Sequence, residues 1–127
     1  MFPLQPANRV SEVYSLGNIS LIPCRPGTGT AGMPSKTGTI MAAGQAIIGS
    51  FDTGGDLDKL LRDAKCGFCV EPGNCIKLSE AIVYLYNHPA ETERLGINAR
   101  KYAENNMDKS KSVAQYIKLI EQSSTQL

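Results

Sequence analysis

The chain has 127 residues, a formal net charge of +1, 42% hydrophobic residues and 20% charged residues. This length predicts one compact domain with a proper core, and the near-neutral charge gives no support to a nucleic-acid-binding protein. No apolar run approaches the roughly 20 residues that span a bilayer, and residues 1–9 lack the basic and apolar parts of a signal peptide.

Strand and helix patterns alternate along the chain. Short apolar runs predict strands at residues 19–22, 46–49 and 68–70, with residues 2–4 as a candidate fourth strand. The first of these runs is continuous, as expected of a strand that is covered on both faces. Predicted helices carry apolar stripes at Val10, Val13 and Tyr14; at Leu57, Leu60, Leu61 and Ala64; at Cys75, Leu78, Ile82 and Leu85; at Leu95, Ala99 and Tyr102; and at Val113, Ile117 and Ile120. This alternation predicts an α/β fold with a parallel sheet and right-handed crossovers.

The most informative segment joins the first predicted strand to the next helix. Residues 25–32 form a loop rich in Gly, Thr and Pro, and a helix is predicted from about residue 35 to residue 43. The first-turn N–H groups of a helix have no partners within it, so they favour a bound anion. Ser35 is the predicted N-cap, and Lys36 places a cation where a phosphate would lie. The segment therefore predicts a phosphorylated ligand at the carboxyl end of the sheet.

A competing signal is the pair Cys66 and Cys69, which has the spacing of half a zinc or redox motif. A zinc site would need a second pair of ligands, and the single histidine, His88, lies far along the chain. A redox Cys-x-x-Cys motif begins a helix, whereas this pair runs into a predicted strand. We therefore interpret the cysteines as buried, reduced side chains of a cytoplasmic protein, with a zinc or redox protein as the least favoured hypothesis.

The chain resembles the donor-sugar half of family-four (group 1) glycosyltransferases, which have the two-domain GT-B fold. The matching motifs are Pro34-Ser35-Lys36, Met41-Ala42-Ala43-Gly44, Gln45-Ala46-Ile47-Ile48-Gly49, Gly54-Gly55, Cys66-Gly67, Val70-Glu71-Pro72-Gly73 and Leu95-Gly96-Ile97-Asn98-Ala99-Arg100. The order and spacing of these motifs carry the resemblance from about residue 5 to about residue 120.

The resemblance implies a partial Rossmann-like, three-layer αβα domain with a short parallel sheet, the C-terminal half of a GT-B donor domain. Residues 1–107 would bind the donor nucleotide, and residues 108–127 would form a C-terminal helix and tail that packs back toward the acceptor domain in full-length relatives. The family's first three donor-domain strands and its acceptor domain have no counterpart in this sequence, so we expect a fragment that is inactive alone. An unpaired strand edge or an exchanged terminal helix would then favour a homodimer.

The resemblance also implies a set of donor-binding residues. The diphosphate would lie against Gly32, Met33, Ser35, Lys36 and Thr37. Thr39 would lie on the ribose side, and Asn8 and Arg9 on the side of the base. Most relatives carry two glutamates where this chain has Ala31 and Thr39, so the ribose and sugar would be held differently here. The resemblance assigns no catalytic carboxylate and no metal to residues of this chain. It implies no cofactor, because the nucleotide sugar is a substrate.

The implied function is the donor-binding part of a retaining glycosyltransferase. It would transfer a sugar from a UDP- or GDP-sugar in polysaccharide or glycolipid biosynthesis. The full-length enzyme would lie in the cytoplasm, peripheral to the inner face of the membrane. The alternative from another class is a non-catalytic α/β module that self-associates or binds a nucleotide weakly.

Overall fold

The computed structural model of the chain describes residue 3, residues 5–27 and residues 32–124, with residues 111 and 124 described by their backbone only. Its elements in chain order are a 3-10 turn (Ala7–Arg9), α1 (Val10–Ser15), β1 (Ile19–Pro23), α2 (Thr37–Ala42), β2 (Ala46–Ser50), α3 (Asp56–Asp63), β3 (Gly67–Val70), α4 (Cys75–Asn87), α5 (Pro89–Asn106) and α6 (Lys109–Ser124). The candidate strand at residues 2–4 depends on Phe2 and Leu4, which lie outside the described residues.

The three strands form a parallel sheet in the order β1-β2-β3. Ile19 is paired with Ala46, and Ile47 with Gly67. Every residue of the central strand β2 is buried, which its uninterrupted apolar run predicts. The fold is therefore α/β with a partial Rossmann-like sheet, as the sequence predicted.

Helices cover both faces of the sheet and divide the core into two clusters. On one face, Ile47 packs in a cluster with Met41 of α2 and Leu61 of α3. On the other face, Ile48 packs in a cluster with Leu85 of α4. The αβα layering places the connections between strands and helices at the two ends of the sheet.

Helix α5 contributes to both core clusters. Leu95, near its middle, belongs to the cluster beneath α4, whereas Ala99 and Ala103 belong to the cluster that contains α2 and α3. The helix begins with Pro89, directly after His88, a position that suits proline because the first N–H of a helix has no intrahelical acceptor. Helix α5 therefore passes across the amino edge of the sheet and joins the two helix layers.

The predicted apolar stripes are confirmed where a helix covers the sheet. Leu57 and Leu61 of α3 are almost fully buried, and Leu85 of α4 is 1% exposed. Helix α4 is capped at its start by Asn74, whose side chain accepts the N–H of Lys77 at 3.0 Å.

Three expectations about burial were wrong. Strand β1 is not covered on both faces: Leu21 is 47% exposed, because β1 is an edge strand. Cys75 is exposed rather than inward, because it is the first residue of α4 and precedes the stripe that contacts the sheet. The predicted stripe residues Val10 and Val13 of α1, and Val113, Ile117 and Ile120 of α6, are also exposed, whereas Tyr14 of α1 is partly buried against the core cluster that contains Ile47. Within the described ranges, none of the helices has the length and apolar character that a bilayer crossing requires.

Candidate functional site

Three loops leave the carboxyl edge of the sheet side by side. They follow β1, β2 and β3, and all three strands are parallel. The first and third loops lie close together, since a Cβ atom added to Gly73 would lie 3.7 Å from Cγ of Pro26. Ligands of open α/β sheets bind in the crevice outside the carboxyl ends of the strands. The predicted phosphate-binding residues lie in the first of these loops and at the start of α2.

The start of α2 differs from the sequence prediction. Ser35 is not the N-cap: the helix begins at Thr37, Lys36 occupies the capping position, and no side chain caps the helix. The N–H of Thr37 donates to the carbonyl of Pro34 at 3.0 Å, so a turn over residues 34–37 precedes the helix. The helix then has only six residues, and its dipole contributes correspondingly little to binding an anion.

The residues predicted to bind the diphosphate differ in exposure. Gly32 adopts φ +112°, a conformation that favours glycine, and Met33 is 43% exposed. The side chains of Ser35 and Lys36 are exposed. Thr37 is 1% exposed, and its Oγ1 atom has no hydrogen-bond partner among the described residues. A buried hydroxyl without a partner costs about 1–3 kcal/mol, so this atom is the most unusual polar group in the region.

The residues predicted for the ribose and the base are less distinctive. Thr39 is exposed on α2. Arg9 donates to the Glu12 carboxylate at 2.7 and 2.9 Å, and both side chains are more than half exposed. Exposed ion pairs of this kind are common and contribute less than about 1 kcal/mol to the free energy of unfolding. Asn8 is exposed in the 3-10 turn that precedes α1, and Ala31 lies outside the described residues.

A polar cluster at the carboxyl edge was missed from the sequence. Asp58 is 4% exposed and accepts the N–H of Gly54 at 2.7 Å and the guanidinium of Arg62 at 2.6 Å. The hydroxyl of Thr53 donates to the carboxylate of Glu71, which ties the second loop to the third. The sequence feature that could have revealed this cluster is the run Gly-Gly-Asp-Leu-Asp at residues 54–58. Its second Asp can accept a hydrogen bond from the backbone just before α3. Every one of these groups has a partner, so the cluster holds the loops in place.

Cys66 and Cys69 act as core side chains. Cys66 is fully buried and Cys69 is half-buried, and both thiols are free. Burial raises the pKa of the Cys66 thiol to about 11. Burial, together with the negative charge of Asp58, raises the pKa of the Cys69 thiol to about 12. Over residues 5–27 and 32–124, no three His, Cys, Asp or Glu side chains are grouped so that they could hold a metal ion.

A groove of about 1150 Å³ opens at the opposite, amino edge of the sheet. The amide of Gln45 forms its floor: Nε2 donates to the carbonyls of Tyr14 and Gly17, the latter at 2.7 Å, and Oε1 accepts from the hydroxyl of Ser20. Gln45 is 5% exposed, and its amide is fully engaged by these bonds. The groove was not predicted, because it forms between turns that are distant in sequence.

Comparison with known proteins gives a structural match but no match by sequence. No family model matches the chain, and no curated protein matches it. Among solved structures, the sucrose-phosphate synthase from Thermosynechococcus elongatus has a similar fold, with a TM-score of 0.76 at 22% sequence identity. The match covers 91% of this chain and 27% of the synthase chain.

The match establishes the architecture of the chain. The synthase is a GT-B glycosyltransferase, so the chain has a fold found within that class of enzyme. The chain spans 27% of the length of the synthase, and the similarity at this identity concerns the fold alone.

Proposed function

We propose that the chain is the donor-binding part of a retaining glycosyltransferase of family four (group 1). In this proposal it binds a UDP- or GDP-sugar at the carboxyl edge of the sheet, and the sugar passes to a polysaccharide or glycolipid acceptor. A separate acceptor domain would complete the cleft, with α6 directed toward that domain. Four free thiols accord with the reducing cytoplasm.

One observation carries the proposal: a buried hydroxyl and an exposed ammonium group belong to adjacent residues, Thr37 and Lys36, at the start of α2. The hydroxyl of Thr37 is buried without a partner among the described residues, and the exposed ammonium group of Lys36 lies one residue before it. Both lie at the sheet edge where α/β proteins bind ligands. A diphosphate would supply the acceptor oxygens and the negative charge that these two groups favour.

These groups would act on the leaving group of the reaction. As the bond between the sugar and the phosphate breaks, negative charge grows on the nucleotide diphosphate. A fixed cation and fixed donors at that position lower the energy of the transition state more than that of the bound substrate. The first hydrogen bond of α2 runs from the N–H of Ile40 to the carbonyl of Lys36 at 3.0 Å. The N–H groups of Gly38 and Thr39 therefore have no acceptor within the helix and are further candidate donors.

The proposed contacts to the ribose and the base are fewer. The hydroxyl of Thr39 can exchange hydrogen bonds with the ribose but cannot supply a carboxylate. Asn8 and Arg9 lie in the 3-10 turn that precedes α1, and in this proposal they lie on the side of the base. Arg9 would have to leave its ion pair with Glu12 to contact a base, and that pair is weak because it is exposed.

Calorimetric titration of UDP and GDP tests the proposal. Replacing Lys36 by Ala removes the proposed charged contact and should weaken diphosphate binding by roughly 1.5–3 kcal/mol. Because Lys36 is exposed, the free energy of unfolding should change by less than about 0.5 kcal/mol. Lys101→Ala is the matched control, since Lys101 lies beside the groove at the amino edge.

The outcomes separate the alternatives. Weakened binding in Lys36→Ala with unchanged binding in Lys101→Ala supports the phosphate site. Equal affinities in Lys36→Ala and the unaltered chain would mean that Lys36 is a surface lysine and the site is misplaced. No binding of either nucleotide to the unaltered chain favours the alternative, a non-catalytic α/β module, for which the exposed apolar residues of α6 are the supporting observation.

A further inference from the structure

The loops that follow β2 and β3 contain turns of the same kind. Residues 52–55 form one turn, closed by a hydrogen bond of 3.2 Å from the N–H of its last residue to the carbonyl of its first, and Gly54 has φ +81°. Residues 71–74 form the other, closed in the same way at 3.1 Å, and Gly73 has φ +81°. A positive φ at the third residue defines a type II turn. Both loops therefore have a fixed backbone.

Side-chain hydrogen bonds join these two turns to each other and to α3. The buried carboxylate of Asp58 in α3 accepts the N–H of Gly54 at 2.7 Å, which anchors the second loop. The hydroxyl of Thr53, in the same turn, donates to the carboxylate of Glu71. The third loop is therefore held by α3 through the second loop, and the bond from Thr53 to Glu71 is the connection between them.

The third loop in turn lies beside the first. A Cβ atom added to Gly73 would lie 3.7 Å from Cγ of Pro26. The first loop continues from Pro26 toward Lys36 and Thr37, the residues that we propose bind the diphosphate. A displacement of the turn at residues 71–74 would therefore free space beside the loop that leads to the nucleotide site.

We propose that Glu71 is a positioning residue for the nucleotide site. Held by Thr53, it keeps the turn at residues 71–74 beside Pro26 and so restricts the first loop before a ligand arrives. A loop that is already ordered loses less conformational entropy when the ligand binds, so the affinity is higher. The role toward the nucleotide rests on the proposed function, but Glu71 does not itself have to contact the ligand.

The charge of Glu71 separates this role from a purely electrostatic one. A carboxylate near a diphosphate repels it, so removing the carboxylate would strengthen nucleotide binding if charge were its only effect. The positioning role predicts the opposite sign: Glu71→Ala should weaken binding of an anion although it removes a negative charge from the same edge of the sheet. The direction of the change therefore decides between the two.

Calorimetric titration of UDP and GDP into matched variants measures this direction. Glu71→Ala and Thr53→Val should each raise the Kd roughly three- to tenfold, and the double variant should bind no more weakly than either single variant, because all three lack the same bond. Glu71→Gln keeps an acceptor oxygen and should raise the Kd by less than about twofold. Glu91→Ala, which breaks a similar ion pair with Arg94 at the start of α5, is the control. Because Thr53 and Glu71 are exposed, the midpoint of thermal unfolding should move by less than about 3 °C.

Backbone order parameters measured by NMR test the positioning without any nucleotide. In the free chain, the amides of Gly73 and Gly27 should fall from the rigid range, about 0.85, in Glu71→Ala but not in Glu91→Ala. The amide of Gly54, which Asp58 holds, should keep its value. Unchanged order at Gly73 and Gly27, or tighter nucleotide binding by Glu71→Ala, overturns the positioning role. If neither nucleotide binds the unaltered chain, the proposed function fails, and the order parameters alone decide whether Glu71 holds the first loop.

Discussion

Gly96 of α5 lies directly against the backbone of Gly44, in the turn between α2 and β2. A Cβ atom on Gly96 would lie 2.2 Å from the carbonyl oxygen of Gly44. Gly44 has φ +72°, so a side chain would be strained there as well. The close approach lets α5 cross beneath the amino end of β2 and pack against both layers of helices.

Replacing Gly96 by Ala should lower the free energy of unfolding by about 1–3 kcal/mol, because the backbone of another element would have to shift. Urea denaturation measures this change. Gly17→Ala is the control: the added Cβ atom would lie 3.7 Å from the carbonyl oxygen of Ile19, an ordinary contact, and stability should change by less than about 0.5 kcal/mol. Equal stabilities for the two variants would contradict the assigned packing of α5.

Asp58 should stabilise the folded chain, because its buried carboxylate accepts two hydrogen bonds. Replacing it by Ala removes the acceptor of the Gly54 N–H and of Arg62, at an expected cost of about 1–3 kcal/mol. Asp63→Ala in the same helix is the control, because Asp63 is exposed near the end of α3, and we expect a change within about 0.5 kcal/mol. Chemical denaturation of both variants decides whether Asp58 holds the second loop.

The two core thiols predict a loss of stability at alkaline pH. The folded pKa values of Cys66 and Cys69 are about 11 and about 12, above the ordinary thiol value of 9.0. Between pH 9 and these values the unfolded chain loses protons that the folded chain keeps, so the free energy of unfolding falls as the pH rises. The contribution is fully present below pH 9.

The double variant Cys66→Ala, Cys69→Ala isolates this effect from other groups that titrate in alkali. Under reducing conditions, urea unfolding at about pH 8 and about pH 10 should show a smaller pH dependence for the variant than for the unaltered chain. The same dependence in both proteins would show that the thiols are accessible to water in the folded chain.

The 127-residue chain should not transfer sugar by itself. The residues of the proposed site would bind only the donor. Holding the donor and the acceptor together in a reactive geometry supplies much of the rate of such reactions, and no acceptor-binding residue is proposed here. Incubation of the purified chain with UDP- and GDP-sugars and a mixture of lipid and glycan acceptors should give no product above the uncatalysed background. Any turnover that depends on the chain would contradict this expectation.

Much of the fold could be predicted because a buried sheet leaves a clear pattern. The strand at residues 46–49 reads as an apolar run, and the structure places β2 in the centre of the sheet. Leu57 and Leu61 have helical spacing, and both are buried. The same pattern misled at the periphery: Val113 and Ile117 also have helical spacing, but α6 leaves them exposed. Periodicity shows that a helix has an apolar face and not what covers that face.

The details of the candidate site were harder to predict. Serine is a common N-cap residue, so the helix was predicted to begin at about Ser35. The N–H of Thr37 instead closes a turn with the carbonyl of Pro34, and the helix begins two residues later, at Thr37. Asp58 was missed because its partners become visible only once the loop after β2 is placed. The contact of Gly96 with Gly44 depends on two turns that are distant in sequence. Local sequence patterns record side-chain preferences, whereas these features arise from close approaches between backbones.

Mapping of UDP and GDP binding by NMR chemical shifts shows where on the chain a nucleotide binds. With the backbone amides assigned, we expect saturating nucleotide to shift the resonances of Lys36 and Thr37, together with those of Gly73 in the adjoining loop. The amides of Gln45 and Gly96 at the amino edge should not move. Shifts confined to the amino-edge groove, or no shifts with either nucleotide, would contradict the assignment of a donor site at the start of α2.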